Sequence, residues 1–142
     1  MYKKTLTYED FDGEEITEDF YFNLNKAEII EHDDLIEAIA RYGKRAEKKD
    51  EFGSKDMKTM MSYIKELMFL SYGEKSEDGR RFVKSEEILT DFINSNAFPD
   101  IYMEILTDET VATEFVEGVC SSVLKDVDPA ELQKAIDAAS ES

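Results

Sequence analysis

The hydrophobic period of this chain changes once, near residue 25, and that change limits the fold more than any other feature. Before it, Tyr2, Leu6 and Tyr8 alternate with Lys3, Thr5 and Thr7, the period of two of a strand with one apolar face. Asp12-Gly13 follows, a dipeptide suited to a tight turn because glycine accepts a positive φ without penalty. Ile16, Phe20, Phe22 and Leu24 then share one parity against Thr17, Asp19 and Asn23, with Tyr21 the exception. The pattern predicts a β-hairpin over residues 2–24. A lone hairpin is marginal in water, so its apolar face has to pack on helices, or its edge has to pair with something else.

From Asn25 onward the spacing is helical. Asn25 with Glu28 three residues later forms a capping-box pattern, in which side-chain acceptors satisfy the first orphaned N–H groups. Ile29, Ile30, Leu35, Ile36, Ile39 and Ala40 follow, with Asp33-Asp34 a point where one helix can divide into two, and Gly43 the expected stop. Residues 44–55 are polar and hold Lys44, Arg45, Lys48 and Lys49, which reads as a mobile loop or, better, as a solvated helix end or connector. Ser54 is placed to cap a helix carrying Met57, Met60, Met61, Ile64, Leu67 and Met68 at i, i+3, i+4 spacing. Tyr72-Gly73 is expected to end it, with the glycine left-handed beyond the cap. Residues 74–84 read as a turn-rich excursion with Asp78-Gly79 at its apex and Phe82 and Val83 returning to the core. Ser85, Pro99 and Asp108 mark three further helix starts, the last serving a run from Val111 to Leu124. Asp128-Pro129 and Glu131 open a final helix with a thin apolar face. The expected fold is α+β and predominantly helical, an N-terminal hairpin packed on a bundle of about five helices. It is read as one domain over residues 1–142: hairpin 2–24, helical core 25–127, C-terminal helix 128–142.

Composition then narrows the function. The formal charge of −17 disfavours phosphate backbones and anionic membrane surfaces, although simple solubility explains acidity equally well. No apolar run reaches the roughly 18 residues of a membrane span, and the N-terminus is too polar for a secretory signal. One cysteine, Cys120, excludes a disulfide within the chain, and a reducing cytoplasm fits. Its neighbours Val119, Val123 and Leu124 suggest a buried small residue.

Catalytic patterns are incomplete. His32 is the single histidine, and its neighbours Asp33 and Asp34 point about 100° apart on a helix and do not converge. A solvated polar face explains them better than a metal site. Nothing in the sequence joins Cys120 to His32 as nucleophile and base. The glycines are scattered at turns rather than clustered into a phosphate loop, and residues 10–19 lack the oxygen spacing of a calcium loop. No enzyme, cofactor or metal is expected. The methionine stripe has two readings: an adaptable binding groove, or a core helix, whose spacing it equally shows. The residues singled out for protein binding are Met57, Met60, Met61 and Met68, with Phe20 and Phe22 of the hairpin.

Two longer strings, YKKTLTYEDFDGEEITEDFYFNLNKAEI at 2–29 and LSYGEKSEDGRRFVKSEE at 70–87, carry a resemblance. They are similar to a family of small phage and prophage proteins of Gram-positive siphophages that resemble tail assembly chaperones. Looser similarity at 102–109 and 115–119 extends the match over most of 2–119, and residues after Val119 lie beyond the family's usual end. Residues 31–56 are more charged than the family pattern. The resemblance implies a non-catalytic assembly factor of the host cytoplasm. Its expected partner is the tape measure protein or the tail tube protein, without nucleic acid or membrane, and self-association is left open. Two competing functions are an acidic DNA mimic that inhibits a host defence nuclease, and a minor structural virion protein. The interspersed Lys and Arg at 41–58 weaken the first, and the helix content fits the second poorly.

Overall fold

Alternation in the first segment does produce a hairpin in the computed structural model, which describes residues 1–48 and 51–124. Strand β1 (Tyr2–Glu9) pairs antiparallel with β2 (Glu15–Phe22), from Tyr2 opposite Phe22 to Glu9 opposite Glu15. The turn is built by Asp10, whose Oδ1 accepts the N–H groups of Asp12 and Glu14 at 2.9 Å. Gly13 takes a φ of 81° there, the left-handed conformation that the Asp-Gly pair foretells. Tyr2, Leu6 and Tyr8 pack on the core beside the buried Phe20 and Phe22. The other face is wet: Thr5 donates to Asp19 at 2.6 Å, and Thr7 and Thr17 share a hydrogen bond across the strands.

The helical part runs α1 (Lys26–Glu31), α2 (Asp33–Ala46), α3 (Ser54–Ser71), α4 (Glu86–Ile93), α5 (Ala97–Thr107), α6 (Glu109–Val119) and the single turn α7 (Ser121–Leu124). Asn25 caps α1 with the full capping box, its side chain accepting from Glu28 N–H while the Glu28 carboxylate accepts from Asn25 N–H. That carboxylate also binds Lys84 Nζ at 2.7 Å, tying α1 to the segment before α4. The expected division of the first helix falls at His32, which ends α1 and starts α2. Ser85 and Asp108 cap α4 and α6 as expected.

Several expectations are corrected. Gly43 does not stop α2, which runs on to Ala46. The cost of an interior glycine, about 1 kcal/mol, is outweighed by burial of Leu35, Ile36 and Ile39 along the same helix. Residues 44–46 are the end of α2 and 54–55 the start of α3, so the loop reading fails there and the helix-end reading holds at 44–46. Gly53, not Ser54, is the N-cap of α3, and Asp56 accepts the Gly53 N–H at 3.1 Å. The run 109–124 breaks at Cys120, so the last turn is separate from α6. The expected helix at 128–142 lies outside the described residues.

The largest difference is two further strands. β3 (Tyr72–Lys75) and β4 (Phe82–Val83) form a second hairpin, and β3 pairs with β2, giving a four-stranded antiparallel sheet in the order β1-β2-β3-β4. Gly73 is not left-handed: the positive-φ glycines are Gly13 and Gly79. A Cβ on Gly73 would sit 2.7 Å from the Val83 carbonyl oxygen and 2.7 Å from Cε2 of Phe82. Glycine is required because the second hairpin folds onto it. Phe82 is half-buried and Val83 is exposed, so the return to the core is partial.

The core lies between the apolar face of the sheet and the helices. Phe22 is its centre, fully buried and in ring contact with Tyr2, Tyr72, Phe92 and Phe115. Tyr72 stacks on Phe92 at 4.1 Å. Such pairs add about 0.5–1.5 kcal/mol each beyond the area they bury. Lys4, on the inner face of β1, is neutralised by Glu104 of α5 at 2.7 Å. α6 crosses the start of β1 closely enough that a Cβ on Gly118 would lie 2.9 Å from Tyr2 Cβ.

Candidate functional site

Among the described residues, the amphipathic helices form an apolar groove of about 400 Å³ between α2, α3, α5 and α6. Each wall follows from helical spacing. α3 contributes Met57, Met60 and Ile64, one stripe at i, i+3, i+7. α2 contributes Gly43 and Ala46, one face at i, i+3, and its C-cap residue Glu47. α5 supplies Ile105, Leu106 and Thr107, α6 supplies Glu109 and Ala112, and Phe52 stands at one end before α3. Ile64 and Ile105 are each 2% exposed and belong to the core, while Met57 is 40% exposed. Gly43 has nothing within 4 Å of where its Cβ would lie, so the α2 wall is open at that point.

The polar groups at the groove are mostly acidic or carbonyl in character. Glu47 and Glu109 stand on its rim. α2 and α5 both end there, and helix C-termini present the negative end of the backbone dipole. Lys44 and Arg45 offset this for α2, and Arg45 is paired with Asp56 at 3.0 Å. α5 has no basic residue in its last turn. The positive end of α6 is already capped by Asp108, which accepts from Thr110 and Val111 N–H. Thr107 Oγ1 donates to Met103 O at 2.7 Å, so its hydroxyl is held on its own helix.

The six residues singled out from sequence separate into three sets. Met57 and Met60 line the groove. Phe20, Phe22 and Met68 are buried at 4%, 0% and 0% exposure and form the core beneath. Met61 is half-buried outside the groove lining, and its carbonyl accepts from Tyr102 Oη at 2.9 Å. The α5 and α6 walls carry no signal that the sequence pattern separates from an ordinary core face. Phe52 is the one apolar residue among charged neighbours at 47–51, and that isolation is a signal of its own.

No group of three or more His, Cys, Asp or Glu side chains is placed to hold a metal among the described residues. No helix there is long and apolar enough to cross a membrane. His32 serves as the joint between α1 and α2. Burial pushes the Cys120 thiol up to about 11, with a small opposing pull from the amino terminus, which leaves it a poor nucleophile near neutral pH.

Comparison with curated proteins and with solved structures finds no match. The family described as phage tail assembly chaperone matches residues 1–142. The match takes in the stretch after Val119, which the resemblance alone places beyond the family's usual end. Covering the whole length, it places this acidic, mostly helical chain in the phage tail assembly chaperone family.

Proposed function

We propose that this chain is a non-catalytic tail assembly chaperone of the host cytoplasm, from a siphophage of a Gram-positive host. On this reading it binds an apolar segment of the tape measure protein, with the tail tube protein as the other tail component in reach. The observation that carries the reading is the open groove walled by Met57 and Met60, in a chain matched over its full length by the family. Methionine suits such a wall: it is unbranched and polarizable, and adapts to differing apolar side chains. Phe20, Phe22 and Met68 support binding from below by fixing the helices that form the groove.

Co-expression with the tape measure protein of the same phage tests this. The chain should raise the soluble fraction of the tape measure protein. Gly43→Leu, which puts a side chain into the open wall, and Met57→Glu should each remove that gain while leaving the chaperone's own fold intact by circular dichroism. No gain with the unaltered chain refutes the proposal.

A further inference from the structure

We infer that the groove takes an amphipathic helix whose apolar anchors are flanked by Lys or Arg. This rests on the groove being the docking site and adds the chemistry of its occupant. The groove walls are mostly side chains of four helices, and the interior residues of those helices have their backbone groups already bonded within the helix. An extended peptide would find no ladder of free N–H and C=O groups there. A helix brings its own backbone bonds satisfied and presents anchors at i, i+3, i+4 and i+7. A volume of about 400 Å³ holds the anchor side chains of one helix face, not the helix itself.

The rim sets the charge. Glu47 and Glu109 flank the apolar floor of Ile64 and Ile105, and the last turn of α5 carries no basic residue. Basic groups on the entering helix meet attraction at both ends, and acidic ones meet repulsion. The same electrostatics argue against two other occupants. Residues 125–142 carry Asp126, Asp128, Glu131, Asp137 and Glu141 against Lys125 and Lys134, a net negative composition that complements an acidic rim less well than a basic helix does. A second copy brings another net −17.

Three peptides of about 20 residues, titrated by fluorescence anisotropy against the full chain, decide the matter. One has Leu at i, i+3, i+4 and i+7 with Lys flanks. Its twin differs only in Glu flanks, and the third is residues 125–142. The Lys-flanked peptide should bind about tenfold more tightly than the Glu-flanked one at low salt, and the gap should narrow as salt rises. The double variant Glu47→Lys with Glu109→Lys should reverse the order. Equal binding of the twins, both lost in Gly43→Leu, overturns the charge inference and leaves the groove as a docking site. Binding of neither removes the docking site as well. Tightest binding by the 125–142 peptide, or a concentration-dependent dimer abolished by Gly43→Leu, overturns the inference in favour of this chain itself as occupant.

Discussion

Replacing Gly73 with alanine puts a methyl carbon 2.7 Å from the Val83 carbonyl oxygen and 2.7 Å from the Phe82 ring. Replacing Gly43 puts the same methyl where nothing lies within 4 Å. The two substitutions are identical in chemistry and should differ in sign. At Gly73 one of the two nearest atoms is backbone, so β4 has to move away or the strand has to bend. Overpacking of this kind costs about 1–3 kcal/mol. Removing a glycine from the unfolded chain returns about 0.4–1 kcal/mol. The net loss should be about 1–2 kcal/mol, or about 3–8 °C in Tm for a chain of this size. At Gly43, inside α2, only the helix-propensity gain remains, about 0.5–1 kcal/mol, or about 2–4 °C upward. Urea titration followed by far-ultraviolet circular dichroism measures both, with an unchanged slope confirming that the unfolded state is comparable. Gly73→Asn adds a control. A left-handed glycine tolerates asparagine, whereas a glycine required by close approach does not, so Asn should cost at least as much as Ala. A neutral or stabilising Gly73→Ala, or a destabilising Gly43→Ala, would refute the placement of the second hairpin or of the α2 C-terminus.

Other outcomes follow from single contacts. Burial alone would raise the Glu28 carboxyl, but the Asn25 N–H, Lys84 and His32 together hold it below its ordinary value of 4.5. A depressed carboxylate contributes stability above its unfolded pKa and loses it as pH falls through the folded value. Glu28→Gln should therefore cost about 1 kcal/mol at pH 7, and the gap from the unaltered chain should close below pH 4.5 in acid titrations of stability. A constant gap down to the lowest pH measured would show that charge plays no part. Gly118→Ala should loosen the start of β1, because Tyr2 Cα and Cβ lie 3.1 and 2.9 Å from the new methyl. Faster amide exchange at Lys3 to Leu6, with the rest of the sheet unchanged, is the expected pattern. Cys120, 7% exposed with its thiol pushed up to about 11, should react with iodoacetamide at pH 7.5 only as fast as the chain unfolds. Rapid labelling of the folded protein would contradict its burial.

Local chemistry was legible in the sequence wherever a structure is closed by near neighbours. The Asp12-Gly13 turn, the Asn25–Glu28 box and the caps at Ser85 and Asp108 each satisfy their backbone groups within a few residues, so residue order alone specifies them. The parity of Ile16, Phe20, Phe22 and Leu24 fixed which face of β2 is apolar, for the same reason. The strings at 2–29 and 70–87 pointed to the family without any coordinates.

Other features depend on what arrives from far along the chain. Gly43 and Gly73 both look like helix stops. One continues a helix because distant core residues hold it, and the other sits in a strand because Phe82 and Val83 fold back on it. Of the methionine stripe, the spacing alone could not divide Met57 and Met60 from Met68. Helical periodicity marks a face as apolar but does not say what covers it. Leu67 and Met68 are buried in the core while Met57 and Met60 face Ile105, Leu106 and Ala112 across the groove, and only tertiary packing divides the stripe in that way.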